Sequence, residues 1–335
     1  MSEREADVVI TGRGALALFA AHRSRQAGLR PLVIGRGRPF ERFLLLHENA
    51  LRVLEATFGT APGHALQGVR VLDLSLAEIR RLDFARRGFR LHAMRYTALL
   101  DWLEAAVAPE MPVIDAEIAA ISPEGLVTLK DGRRFRARRL VVNTVAALAP
   151  RRRLRVRHRK VFRMGFIADP PERDWAVQIN DRGSYAIIVP FGADAAVVSS
   201  GDAAPLKRLL GARWDGLSMA ELHLETWCGW RWRQERIVHV GEAVRRVHPH
   251  TAQGLNRALD ALDALFAGGA LKREKVHDCL VWVGGVLLDA VWGGPSPALI
   301  RASLALLDTG PGLRLASGTL LQGRRASVTV PSGGG

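Results

Sequence analysis

Two short stretches of this 335-residue chain carry residue types that could do chemistry. The first is Gly12-Arg13-Gly14-Ala15-Leu16-Ala17, a G-x-G-x-x-A spacing directly after the run Asp7–Ile10. Glycine at 12 allows a tight turn, and glycine at 14 lets the backbone approach a diphosphate. The small Ala17 permits close packing of helix on strand. A helix opening here would aim its unpaired N–H groups and positive dipole end at an anion. The second stretch places Glu242, His248 and His250 around the turn Pro249–Gly254. One carboxyl group and two imidazoles there could act as general acid or base. For each histidine, a surface or helix-capping role is the plainer reading. Cys228 and Cys279 have neither metal-ligand spacing nor an acid–base partner nearby in sequence. No metal site, disulfide framework or thiol nucleophile is expected.

Positioning these groups needs strands and helices, and the hydrophobic pattern supplies them. DVVI, the glycine turn, a helix with apolar residues 16, 19, 20 and 27, and PLVI at 31–34 make one βαβ unit of a parallel sheet. HENALRVLEATFG (47–59) and Arg95 to Val107 read as amphipathic helices, and residues 69–90 alternate as strands do. Val113 to Val142 reads as three short strands, with Lys130-Asp131-Gly132 as a hairpin turn. Residues 161–200 hold four β-rich runs without helices between them, which predicts an antiparallel sheet apart from the parallel one. Leu206 to Trp227 reads as a helix pair, Arg236–Val240 as a strand, Thr251–Ala267 as a helix, and the last sixty residues as helical.

Composition narrows the class further. A hydrophobic fraction of 48% and a charged fraction of 24% exclude disordered and fibrous chains. The net charge of +15 comes almost wholly from arginine, since lysine occurs only at 130, 160, 207, 272 and 275. The densest run, Arg151 to Lys160, alternates basic and apolar residues like a strand with one basic face. A solvated face is the first reading of it, and an anionic ligand or surface the second. No nucleic-acid motif accompanies it, so no nucleic-acid partner is expected. The charged N-terminus lacks the apolar core of a signal peptide, which predicts a cytoplasmic protein. The apolar stretch Cys279–Trp292 is broken by Asp289 and offers at most a weak membrane-surface contact.

The segment IVHVGEAVRRVHPHTAQGLNRALDALDALFAG (237–268) resembles the flavin-binding segment of the p-hydroxybenzoate hydroxylase-like FAD monooxygenases. Geranylgeranyl reductases and lycopene cyclases share the same layout. Gly241-Glu242-Ala243 matches that superfamily's Gly-Asp-Ala, and Pro249 to Gly254 matches its Pro-x-x-Gly-x-Gly turn. The N-terminal turn and the helix led by Arg95 match in the same order, so the resemblance spans roughly residues 6–270. It implies a Rossmann-like α/β FAD-binding domain (1–67, 91–158, 234–270) carrying an inserted antiparallel-sheet substrate domain (68–90, 159–233). Helices (271–330) and a short tail (331–335) would follow. FAD would touch Gly12, Gly14, Ala17, Arg36, Arg95, Gly241, Glu242, Pro249, Gln253, Gly254 and Asn256, with NAD(P)H as reductant. Tyr185, Phe191, Trp230 and Trp232 would face an apolar, aromatic or polyketide-type substrate, although core packing explains the same rings.

The sequence also departs from that pattern where the cofactor would sit. Gly35 stands where an acid should hold the adenosine ribose, Glu242 replaces aspartate, and Ala252 replaces a glycine. Asn143-Thr144 stands in place of an Asp-Gly pair, and Ala261 in place of a helical aspartate. Two functions are therefore open: an FAD-dependent monooxygenase, or a flavin-less relative using the pocket for cyclisation, isomerisation, dehydration or binding alone. In the second, Glu242 in a partly apolar cavity would have a raised pKa suited to proton transfer.

Overall fold

The computed structural model describes residues 4–37, 41–73, 75–84, 86, 90–107, 111–148, 153–181, 184–200, 204–215, 217–229, 233–247, 253–268 and 282–283. The chain opens with β1 (Arg4–Thr11), α1 (Ala15–Gln26) and β2 (Pro31–Ile34), the expected βαβ unit. Next come β3 (Phe43–His47), α2 (Glu48–Phe58), β4 (His64–Ala65), β5 (Gly68–Leu72), β6 (Glu78–Asp83), β7 (Leu91–Arg95) and α3 (Tyr96–Val107). The stretch read as three strands holds four: β8 (Val113–Ile114), β9 (Ile118–Ile121), β10 (Leu126–Leu129) and β11 (Arg134–Asn143). Four long strands follow: β12 (Arg153–Ala168), β13 (Trp175–Asp181), β14 (Ser184–Phe191) and β15 (Asp194–Ser200). The chain then forms α4 (Ala204–Leu210), β16 (Met219–Gly229), β17 (Arg233–Gln234), β18 (Ile237–His239), β19 (Arg245–Arg246) and α5 (Gln253–Phe266). The C-terminal helices expected after residue 270 fall outside the described residues.

These elements make two eight-stranded sheets and one small one. In the first, β18, β11, β1 and β2 run parallel, with β8 beside β2 and the β9–β10 meander attached to β11. Its inner face packs on α1, α2, α3 and α5 through Val8, Ile10, Phe19, Leu51, Leu99, Val238 and Leu259. The second sheet, β19-β16-β12-β15-β14-β13-β5-β6, is antiparallel except that β13 pairs with β5 in parallel. The small sheet β3-β7-β4 lies between the two, with Phe43 and Leu45 of β3 packed against side chains of the second sheet.

The reading of Leu206 to Trp227 as a helix pair is corrected: only α4 and a 3-10 turn are helical, and Met219–Gly229 is strand β16. Its central run Glu221–Glu225 (ELHLE) alternates polar and apolar residues, and pairing along β12 from Arg153 to Gly165 decides the matter. The basic run 151–160 does enter a strand: Arg155 and Arg157 of β12 are exposed beside Glu225 of β16. Among the described residues no helix is long and apolar enough to cross a membrane. The stretch Cys279–Trp292 lies outside them but for two residues.

Three neighbouring parallel strands end in one polar row, Thr11, Asn143 and His239, all buried. Thr11 Oγ1 donates to Asn143 Oδ1 (2.8 Å), and Asn143 Nδ2 donates to Leu148 O (3.2 Å) and to His239 Nδ1 (3.0 Å). Both amide protons are then used, so Nδ1 of His239 accepts and the imidazole is neutral, with its proton on Nε2. Burial pushes its pKa down from 6.5 to about 4. A second polar clamp joins α5 to β3: Asn256 Oδ1 accepts the His47 N–H (2.8 Å), and its Nδ2 donates to Leu45 O (2.8 Å).

Both clamps predict measurable effects. The unfolded chain binds a proton at His239 more readily than the folded one. Stability therefore falls as pH drops from 6.5 to about 4 and levels off below, by on the order of 3 kcal/mol. Chemical denaturation of His239→Gln across that range should show a shallower pH slope than wild type. Asn256→Ala strands a buried N–H and a carbonyl and should cost about 2–4 kcal/mol in the same assay.

Candidate functional site

The carboxyl ends of β1, β11 and β18 open onto the turns that carry both chemical stretches. Gly12 follows β1 with φ +102°, a conformation glycine adopts freely, and Thr144 Oγ1 occupies the space a β-carbon there would need. Gly14 is the N-cap of α1, whose first turn carries no acidic side chain, while Ala17 is buried in the helix–sheet core. Gly241 follows β18 in a 3-10 turn over Gly241–Ala243, with φ +58°. A β-carbon on Gly241 would lie 2.5 Å from Leu16 Cδ1, so this turn sits directly against the first turn of α1. Two turns more than two hundred residues apart, 12–17 and 241–243, are thereby brought together, and α5 packs on both.

Arg42, just before β3, stands at the junction of the two turns. Its guanidinium lies 4.5 Å from the Tyr96 ring centroid and 3.7 Å from Glu242 Oε1. Tyr96 in turn accepts the Ala15 N–H at the start of α1 (3.0 Å). Arg42 Nε is buried and has no hydrogen-bond partner. A buried guanidinium N–H without an acceptor is costly, and an anion placed here would remove that cost. Neither Arg42 nor Tyr96 belongs to a recognisable spacing pattern. A lone basic residue ahead of an apolar strand was the only signal available for the first.

Several residues expected to touch the cofactor or substrate have other partners in the structure. Arg95, expected at phosphates, points to the other sheet: it pairs with Asp194 (3.0 Å) and lies 4.5 Å from the Phe166 ring centroid. As the last residue of β7 it stands opposite Phe43, and the next residue, Tyr96, is the one turned toward α1. Arg36 is exposed and pairs with Glu117 (3.3 Å). Asn256 is not turned to the cleft, because its amide holds the β3 backbone. Glu242 does not sit in an apolar cavity: it is two-fifths exposed, 3.7 Å from Arg42 and 3.6 Å from Arg246. Phe191 packs edge-on against Phe166 (6.2 Å) and 5.7 Å from the Arg95 guanidinium, in the seam between the sheets.

Among the described residues only Val247 lies near the position of a β-carbon on Gly254. Tyr185 pairs through its backbone with Asn180 and Ser200, but its side chain is outside the described set, as is that of Gln253. Trp230, Trp232, His248, Pro249 and His250 also lie outside the described residues. Gly35 departs furthest from expectation. A β-carbon there would approach the Gly12 carbonyl carbon to 2.6 Å and the Arg13 nitrogen to 2.9 Å. The glycine turn has moved into the space an acidic side chain would use. Beside it, Arg13 pairs with Asp115 (3.4 Å) and Lys130 with Glu117.

The face of the second sheet turned toward the cleft is apolar: Phe162, Met164 and Val198 are buried, with Phe43 of β3 and Ile187 against them. The opposite face is covered by α4. There a separate open cleft of about 470 Å³ is lined by Arg163, Lys207, Trp214, Leu217, Met219 and Glu221.

No family model matches the chain, and no curated protein matches it. Solved structures do. A Klebsiella pneumoniae HpxO variant complexed with FAD is 14% identical over 94% of this chain and 98% of its own, with a TM-score of 0.76. The p-nitrophenol 4-monooxygenase PnpA from Pseudomonas putida is 16% identical over 97% and 100%, TM-score 0.75. Pseudomonas aeruginosa PqsL in complex with 2-aminobenzoylacetate is 21% identical over 89% and 99%, TM-score 0.71. With the strand order and the paired turns already described, these likenesses show that the chain has the fold of these solved structures.

Proposed function

We propose that this chain is a flavoprotein oxidoreductase of the monooxygenase type, acting on an aromatic small molecule between the cleft and the apolar face of the second sheet. The observation that carries the reading is the meeting of the 12–17 and 241–243 turns beside Arg42, a partly exposed arginine whose Nε is buried without an acceptor. The residues present fit the diphosphate portion of FAD. Arg42 Nε lacks an acceptor, and the first turn of α1, opened by Gly14 as its N-cap, is free of acidic side chains. Tyr96 Oη accepts from Ala15 N–H and keeps its own proton to donate to a phosphate oxygen. The adenosine end fits less well, since position 35 offers no carboxylate and no room for one.

When bound, FAD supplies the electron transfer and oxygen activation, with NAD(P)H as reductant. This chain's own residues supply placement and electrostatics. Arg42 neutralises negative charge at the junction, and Glu242 holds Arg42 and Arg246 in position as their shared counter-charge. Phe43, Phe162, Met164, Ile187 and Val198 exclude water from one side of the reacting ring. His248 and His250 are the proton carriers of this reading, and Tyr185, Trp230 and Trp232 the flanking aromatic residues. PqsL in complex with 2-aminobenzoylacetate, and PnpA as a p-nitrophenol 4-monooxygenase, support an aromatic substrate. The closed position 35 favours a second reading, in which the flavin is lost and the same pocket performs a non-redox cyclisation, isomerisation or dehydration.

Purified protein separates the two. Under the first reading it shows the visible flavin band or gains it, with a raised melting temperature, on adding FAD. A colourless protein indifferent to FAD would establish the second. Arg42→Met should weaken FAD binding tenfold or more, as expected on losing charge-assisted hydrogen bonds of about 1.5–3 kcal/mol. Gly35→Glu should not tighten it and should lower stability by about 1–3 kcal/mol through backbone overpacking. An affinity gain in that variant would mean the turn yields freely.

A further inference from the structure

A second basic cluster lies near Glu242, and the proposed flavin site leaves it without a task. Strand β16 runs between β12 and β19, which places Trp227 opposite Arg155 on one side and Arg246 on the other. Arg153 stands two residues from Arg155, so all four side chains share one sheet face. The guanidiniums of Arg153 and Arg246 lie 4.5 Å and 5.0 Å from the Trp227 ring centroid. Trp227 is buried, and its Nε1 donates to the Glu242 carbonyl oxygen (3.0 Å), which ties the cluster to the 241–243 turn.

The charges there do not balance. Arg155 has Glu225 at 3.7 Å. Arg246 has Glu242 at 3.6 Å, and that same carboxylate also serves Arg42. Arg153 makes no ion pair among the described residues, and its Nε and Nη1 are buried without hydrogen-bond partners. Desolvation and the nearby charge of Arg155 both work against the Arg153 cation, and Glu225 offsets them only in part. The Trp227 ring offsets a further part of that cost through its cation–π contact with the guanidinium. Among the described residues Arg153, Arg155, Arg157, Arg246 and Arg42 share the two carboxylates of Glu225 and Glu242, and the surplus calls for an oxyanion able to accept from a planar fork of N–H donors.

We propose that Arg153 and Arg246, seated on Trp227, form a subsite for the oxyanion group of a small-molecule ligand, a carboxylate or a phosphate ester. The subsite belongs to the second sheet, whereas Arg42 serves the first turn of α1, and it stands whether or not a flavin shares the cleft.

Calorimetric titration of the full-length protein with benzoate, phenyl phosphate and inorganic phosphate tests the assignment. One or more of these probes should bind at a single site. Tighter binding of benzoate identifies a carboxylate ligand, and tighter binding of the phosphates a phosphate ester. Arg153→Met, which keeps the aliphatic stem over Trp227, should weaken the binding about tenfold or more. Arg153→Lys, which keeps the charge but loses the fork, should weaken it less, and gives the test should the methionine variant fold poorly. Arg173→Gln, on an exposed arginine of another loop paired with Asp169, should bind as wild type does. Absence of binding by every probe, or equal binding by wild type and both Arg153 variants, overturns the proposal. So does displacement of the probes by FAD with a matching loss of FAD affinity in Arg153→Met, because Arg153 would then belong to the dinucleotide.

Discussion

The cleft depends on three parallel strands, β1, β11 and β18, ending side by side in the row Thr11–Asn143–His239. A strand cannot slide in such a sheet without turning its buried residues to the wrong face, so the register is held by the apolar residues on both sides. Because the strands end together, the turns that follow them must share a small volume. The Gly12 turn and the Gly241 turn then differ in sequence position by most of the chain and in space by the width of a leucine side chain. Asn143 completes the arrangement by using both its carbonyl and its amide protons, which leaves the loop after β11 with one position to adopt.

Around that edge the electrostatics are dominated by guanidinium groups. A net charge of +15 spread over a surface would say little about function. Concentrated among few acids, and partly buried, it says more. Arg90 is an instructive contrast: two carboxylates, Glu48 and Glu55, hold it, and its protonated form is stabilised accordingly. Arg42 and Arg153 each keep a buried nitrogen without an acceptor. The fold tolerates this because Tyr96 and Trp227 present ring faces to the two cations. A ring face is a weaker partner than a carboxylate and leaves the N–H groups free to meet an incoming anion.

The departures from the flavoprotein pattern have different physical meanings once the packing is known. Gly35 is more than a missing acid, since the turn backbone has closed over the place where its side chain would stand. The Asn143-Thr144 pair is a working element of the sheet edge: Asn143 joins three strands, and Thr144 donates to the Thr11 carbonyl oxygen. Glu242 has become a counter-ion between two arginines. The second sheet supplies the apolar wall and the basic cluster on different strands. A ring and an anionic group could thus be held by separate parts of one surface.

Local pattern was enough to read the βαβ unit, the glycine turn, the alternating strands of the second sheet and the helix after Gly254. Each of these is dictated by neighbours a few residues away, through hydrophobic period and turn chemistry. Beyond that range local pattern lost its precision. Met219–Gly229 alternates as a strand does, yet it became one in fact only by pairing with β12, a partner some sixty residues earlier. Arg95 was one position from the residue that faces α1, because which of two adjacent side chains turns inward is set where β7 ends and α3 begins. Arg42 and Tyr96 carry no spacing pattern, and the basic run holding Arg153 gave no hint of Trp227 and Arg246 as its neighbours. Their partners come from distant strands, and only the packed sheets decide which charges are left unmatched.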